Sequence, residues 1–257
     1  MDKDIKILML VGSGESSLIM YNGLKNNFDV VRIVKEEKVS RKIFIQRRIK
    51  NLGYVKVLGQ ILFMMFNKYL TKKSEKRINA LKKEYDLILK PFPKSIVEDV
   101  NSINDSSVIN MISDCNPDVI LVNGTRIINE SILSSTNAVF LNTHMGVTPK
   151  YRGVHGGYWA LVEGDYNNCG VTIHIVDKGI DTGGILYQDS IKITNEDNFN
   201  TYLYHQISKA IPLIKKAVKD VYNNNYKIKE RQDLKSAIWT HPTLSQYIYF
   251  RISKRIK

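Results

Sequence analysis

Apolar positions along this 257-residue chain follow two rhythms. Short, nearly unbroken runs occur at 5–11 (IKILMLV), 28–34 (FDVVRIV), 117–124 (PDVILVNG), 138–144 (AVFLNTH), 170–177 (GVTIHIVD) and 183–194 (GGILYQDSIKIT). Runs without strict alternation are what strands buried on both faces look like. A weaker run, DLIL at 86–89, is read as a third strand. Between the runs, apolar residues return every three or four positions, as in helices at 106–116, 128–135, 155–165 and 198–224, the last carrying Pro212. Strand, glycine turn, helix from Ser16–Ser17 and strand again open a Rossmann-like, doubly wound, mostly parallel α/β sheet. The runs at 170–177 and 183–194 are expected to pair antiparallel across the turn DKGIDTG.

The pattern breaks at 40–85, where Ile43, Ile45, Ile49 and Leu52, then Leu58, Leu62, Met65, Phe66 and Tyr69, sit among basic residues. Two or three basic amphipathic helices are expected there, interrupting the sheet. Residues 38–83 hold fourteen Lys or Arg against one acid, Glu75, which equals the net +13 of the whole chain. The excess charge belongs to the insert. A solvated helical layer lying away from the reaction is its plainest reading, ahead of peripheral contact with membrane or protein at 38–83 and of a nucleic-acid surface, which is disfavoured. The expected division is a sheet unit at 1–190, containing the insert at 38–85, and a C-terminal long helix and tail at 191–257.

Cys115 and Cys169 form neither a disulfide framework nor a Cys-x-x-Cys pair, so a reducing compartment is expected. Neither a leader pattern nor a bilayer-length apolar run is legible, so the expectation is a cytoplasmic protein, with peripheral attachment at the inner membrane face as the second reading.

Chemistry concentrates in NTHMGVTPKYRGVHGG, 142–157. Residues two apart on a strand share a face, so the Asn142 amide and the His144 imidazole converge, a donor pair suited to an oxyanion. Read alone, the same residues also fit a turn-capping asparagine and a satisfied histidine. VDKGIDTGGIL then supplies Asp177 and Asp181, either of which could orient His144 and raise its pKa, or simply make turn hydrogen bonds. The histidines lack metal-ligand spacing, so no metal is expected.

These segments together resemble the formyltransferases that use 10-formyltetrahydrofolate, a family including glycinamide ribonucleotide, methionyl-tRNA and sugar-nucleotide enzymes. The resemblance rests on Asn142-Thr143-His144, on Pro149-Lys150-Tyr151-Arg152-Gly153, and on Asp177 and Asp181-Thr182-Gly183, with Asp181 thirty-seven residues after His144. It spans about residues 115–190, and the first 35 weakly. It implies catalytic roles for Asn142, His144 and Asp181. It further implies folate contacts at Arg126, Ile127, Ile128, Phe140, Val176, Asp177, Gly179 and Ile180, and acceptor contacts at Gly12, Ser13, Gly14, Glu15, Arg152 and His155.

Met145-Gly146 stands where the family carries Pro-Ser, which loosens the loop. Glu15 would repel a phosphate at the glycine turn, which counts against the purine enzyme's seating. Methionyl-tRNA enzymes carry a C-terminal barrel and the formate-releasing hydrolases an N-terminal domain, neither legible here. The implied activity is therefore transfer of a formyl group to a primary amine, with a nucleotide-linked amino sugar for surface polysaccharide as acceptor. The purine-pathway enzyme and a non-catalytic, membrane-binding adaptor are the alternatives, and a homodimer is left open.

Overall fold

The computed structural model describes residues 4–257. In chain order its elements begin with β1 (Lys6–Val11), α1 (Glu15–Leu24), β2 (Asp29–Glu36), α2 (Arg41–Leu52), α3 (Tyr54–Glu84), β3 (Val97–Val100), α4 (Ser106–Cys115), β4 (Val119–Asn123), α5 (Glu130–Leu133) and β5 (Val139–His144). They continue with β6 (Arg152–Gly153), α6 (Gly156–Val162), β7 (Gly170–Ile175), β8 (Ile185–Ser190), α7 (Tyr202–Tyr222), β9 (Ile238–Trp239) and α8 (Leu244–Ser253). The seven-stranded sheet runs β3-β2-β1-β4-β5-β7-β8, parallel from β3 to β5 and antiparallel at β7 and β8. This is the mostly parallel, doubly wound sheet that the pattern predicts.

Both faces are covered, which is why the strands read as continuous apolar runs. Ile7, Met9 and Val11 pack toward α1 and α7, together with Ala210, Ile214 and Val218. Their neighbours Leu8 and Leu10 face the opposite layer, with Val108 and Ile112 of α4 and Ile132 of α5. Helix α7 thus buries its apolar stripe in the main core.

One strand expectation is corrected. Residues 86–89 are not a strand; the edge strand is β3, paired parallel to the end of β2. Asp86 takes a left-handed φ of 49° that turns the chain after α3, and Leu87 is buried between helices rather than in a ladder. Pro91 and Pro93 follow, and proline lacks the N–H a ladder needs.

The basic insert is two helices. Ser40 caps α2 by accepting from the Ile43 N–H, and Gly53, at φ 80°, lets the chain turn into the 31-residue α3. Phe63 of α3 enters an aromatic cluster with Tyr151, Tyr158, Trp159 and Tyr247, while Ile78 and Leu81 pack against Ile19, Tyr204 and Ile207. Among the described residues, no helix is long and apolar enough to cross a membrane.

Candidate active site

Parallel strands β1, β4 and β5 all end on one rim of the sheet, where open α/β sheets place their sites. Gly12 follows β1 and Gly124 follows β4. A Cβ at Gly12 would collide with the Gly124 carbonyl, so the two turns can touch only because residue 12 has no side chain. Next to them β5 pairs antiparallel with β7 in a register that sets Asn142 opposite His174 and His144 opposite Thr172.

Three polar groups converge here. Asp181 Oδ2 lies 3.3 Å from His144 Nδ1, and Asn142 Nδ2 donates to Asp181 Oδ1 at 3.4 Å. Asp181 has a left-handed φ of 51° and accepts the Gly153 N–H at 2.9 Å, which ties the 177–183 turn to the 142–157 loop. His174 is a fourth member, with Nε2 3.1 Å from Asn142 Nδ2 and 3.6 Å from Asp181 Oδ1.

His144 Nε2 lies 2.7 Å from the Tyr151 carbonyl. A carbonyl only accepts, so Nε2 carries the proton in the neutral ring, and Nδ1 is the nitrogen facing Asp181. Gly146 makes room for this bond. A Cβ there would strike the Tyr151 carbonyl and come within 2.8 Å of His144 Nε2. The Met-Gly departure from the family pattern is thus accommodated by close packing.

The expected rise in the His144 pKa is not what the surroundings produce. Burial lowers it below the ordinary 6.5 and outweighs the upward pull of Asp181 and of the Tyr151 carbonyl. Burial pushes the Asp181 carboxyl up, but the His174 hydrogen bond, the nearby His144 and the Gly153 N–H together hold it below the usual carboxylate value. A neutral imidazole facing a carboxylate is the resting state near pH 7.

These groups border a cavity of about 1020 Å³, large enough for two ligands side by side. Arg126, Ile127, Ile128, Val176, Asp177, Gly179 and Ile180 all line it. Phe140 does not: its ring is in the core, and its carbonyl accepts the Val176 N–H at 2.8 Å. Arg126 is anchored by Glu36, with Nε to Oε1 at 2.6 Å, and Asp177 folds its own turn by accepting from Gly179 and Thr182.

The residues expected at the acceptor divide. His155 lines the cavity; Arg152 does not, and instead donates to the Ile180 carbonyl at 3.1 Å. Gly12, Ser13, Gly14 and Glu15 also lie outside the lining, which takes only Ser16 from that turn. Glu15 is held by Lys82 at 3.0 Å and by the Tyr204 hydroxyl at 2.9 Å. The anticipated phosphate cradle therefore does not border the cavity.

Sequence reasoning also set the insert apart from the site, and the structure corrects this. Phe44, Arg47, Arg48, Asn51 and Leu52 of α2 line the same cavity, as do Asn67 and Thr71 of α3. So does His241, from the segment after β9. Arg48 donates to Gln60 Oε1 at 2.6 Å, and Gln60 donates to the His241 carbonyl at 2.6 Å, which joins α2, α3 and the C-terminal segment. No sequence signal marks His241; only the tertiary contact brings it in. His174 was recognisable only once the β5–β7 register was known.

His155 Nε2 and His241 Nδ1 are 2.9 Å apart. Burial, the neighbouring ring and Arg48 lower the His155 pKa to about 3, and burial with Arg48 lowers that of His241 to about 4. Both rings stay neutral when folded but bind a proton near 6.5 once unfolded, so protons favour the unfolded chain. This stability is full above pH 6.5 and drains as pH falls toward 4. Each ring costs up to about 2 kcal/mol at about pH 5, less where cavity water reaches it. Thermal melts at about pH 7 and pH 5 are expected to show a drop that His241→Gln makes smaller; an equal drop in both proteins removes His241 from this role.

Comparison with known proteins bears on the family and the fold. The sequence pattern of the formyl transferase family matches residues 54–212. The methionyl-tRNA formyltransferase of Finegoldia magna is 38% identical over 96 residues, 37% of this chain and 31% of that protein. That of Prochlorococcus marinus subsp. pastoris is 30% identical over 148 residues, 56% of this chain and 43% of that protein. The matches thus span less than half the length of these curated relatives. Among solved structures, a sugar N-formyltransferase from Shewanella sp. superposes with a TM-score of 0.55 at 16% identity, covering 91% of this chain and 76% of that one. Glycinamide ribonucleotide transformylase 1 from Symbiobacterium toebii gives 0.58 at 15% identity, covering 88% and 92%. Those likenesses concern the fold, while the family pattern covers more than half of the sequence: the chain is a member of the formyl transferase family.

Proposed function

We propose that this protein transfers the formyl group of 10-formyltetrahydrofolate to the primary amine of a nucleotide-linked amino sugar. The observation that carries the reading is the meeting of Asn142, His144 and Asp181 beside a cavity with room for donor and acceptor. The lining fits a folate. Ile127 and Ile180 leave 53% and 39% of their surface exposed, giving apolar contacts for a flat ring, between backbone segments whose turns are already tied down. The bound folate supplies a formyl carbon activated by its link to nitrogen.

The chain's own residues then have distinct tasks. Asn142 Nδ2, whose two N–H groups rest on Asp181 Oδ1 and His174 Nε2, turns one of them to the formyl oxygen as it gains charge. His144 Nδ1, neutral at rest, accepts the proton that the amine loses as its nitrogen bonds to the formyl carbon. Asp181 stabilises the resulting imidazolium, and the proton passes on to the departing folate nitrogen as the old carbon–nitrogen bond breaks.

The acceptor reading draws on the part of the cavity that the insert contributes. Arg47 and Arg48 bring positive charge suited to phosphate. Tyr158 lines the cavity with a buried hydroxyl that has no partner among the described residues, a group able to serve a sugar hydroxyl. The engagement of Glu15 by Lys82 and Tyr204 leaves the purine-type seating as the second reading.

Initial rates with four amines test the choice: a nucleoside diphosphate amino sugar, the free amino sugar, glycinamide ribonucleotide and methionyl-tRNA. The nucleotide-linked sugar is expected to lead in kcat/KM. Arg47→Ala is expected to raise its KM about ten-fold, with kcat and the folate KM little changed. Preference for glycinamide ribonucleotide or methionyl-tRNA would replace the acceptor assignment.

A further inference from the structure

Helix α3 has two apolar stripes, and only one is covered. Val57, Phe63, Ile78 and Leu81 are buried against the body. Val55, Leu58, Leu62, Met65 and Tyr69 follow one another at three- and four-residue intervals, with 44% to 88% of their surface exposed. Helix α8 lies alongside: Gly59 abuts Thr243, and the Phe63 and Phe66 rings meet Tyr247 at 5.1 and 6.3 Å. It too leaves apolar side chains in the open, with Ile248, Tyr249 and Ile252 exposed by 44%, 62% and 75%.

The charge around these residues is almost all positive. Lys56, Lys68, Lys72, Lys73 and Lys76 accompany the α3 stripe, while Arg251, Lys254 and Arg255 accompany α8, and Glu75 is the sole acid in 38–83. Lys56, Lys68, Lys72 and Lys76 are all exposed.

We propose that this α3–α8 face docks the protein on an anionic lipid bilayer. Contiguous exposed apolar surface on a soluble chain marks an interaction site. Leucine, methionine and tyrosine flanked by lysines, whose stems can reach up to headgroups, suit the boundary between acyl chains and water. Charge complementarity selects the occupant: anionic headgroups attract each basic residue, whereas a second copy meeting this face would set lysines against lysines. The inference does not depend on which reaction the cavity performs.

Co-sedimentation of the full chain with vesicles tests it. One set contains equal phosphatidylglycerol and phosphatidylcholine, the other phosphatidylcholine alone. The protein is expected to pellet with the anionic vesicles, less as salt rises, and weakly with the neutral ones. The triple change Lys68→Glu, Lys72→Glu, Lys76→Glu is expected to weaken anionic-vesicle binding about a hundred-fold. Leu62→Asp with Met65→Asp is expected to abolish it with the circular dichroism spectrum unchanged; should that variant misfold, the lysine variant decides alone. Absence of pelleting on anionic vesicles, or unchanged binding by the folded variants, overturns the proposal. So does a dimer in light scattering that Met65→Asp splits while vesicle binding persists, since the face then serves a second copy.

Discussion

Asp181→Asn is expected to lower kcat for formyl transfer by about 10²–10⁴, with the acceptor KM nearly unchanged. The substitution keeps the side chain's size and removes its charge. Asp181 Oδ2 lies 3.3 Å from His144 Nδ1, so without the carboxylate nothing compensates the positive charge that the imidazole acquires on taking a proton. The His144 pKa is already lowered by burial, which makes that compensation more important. Because the two residues act as one unit, His144→Ala should cost about as much, and the double variant little more than either single change. Asn142→Ala should cost about 10²–10³ through loss of the oxyanion donor. The acid limb of the kcat profile should fall below pH 6.5, because His144 must be neutral to accept the proton and its pKa lies under that value. Additive losses, or a limb above 6.5, would assign the proton to another group.

The second large effect concerns stability. Asp197 has a fully buried carboxylate in contact with Arg77 Nε at 3.0 Å and His205 Nε2 at 3.0 Å, and it accepts the Thr194 N–H at 2.8 Å. Burial raises its pKa, but His205, Arg77 and the Thr194 N–H more than offset this and hold it far below the usual value. Tyr85, the residue following α3, extends the network with its hydroxyl 2.9 Å from His205 Nδ1. The cluster ties α3 to α7. Asp197→Ala leaves the buried His205 imidazole without its carboxylate and the partly exposed Arg77 guanidinium with only Glu196 at 3.5 Å, and is expected to cost about 3–5 kcal/mol. In a chain of this size that lowers Tm by roughly 6–20 °C. The acceptor KM should rise as well, because α2 and α3 both line the cavity. An unchanged Tm would show that the cluster does not hold the insert.

Most of the sheet was legible because burial on both faces leaves a strong mark: β1 sends Ile7, Met9 and Val11 one way and Leu8 and Leu10 the other. The edge strand was not, since Glu98 and Asp99 interrupt any apolar run on β3 while the more apolar 86–89 invited a strand its surroundings forbid. Two-residue periodicity sufficed to put Asn142 and His144 on one face. Asp181 was singled out from Asp177 only by the resemblance to the formyltransferases, because its approach depends on a left-handed turn that periodicity does not encode. The cavity's far side was hidden for a different reason. Periodicity says that 41–52 is helical, but not which of its faces a distant segment will cover, so Arg48 and His241 could be joined only by tertiary contact.

Following a labelled formyl carbon from 10-formyltetrahydrofolate by NMR tests the central claim most directly. With the preferred amine present, the label is predicted to leave the folate and appear in the acceptor's N-formyl amide, and to remain on the folate when His144→Ala or Asp181→Asn replaces the parent protein. Label released as formate, or transferred equally well by those variants, would contradict it.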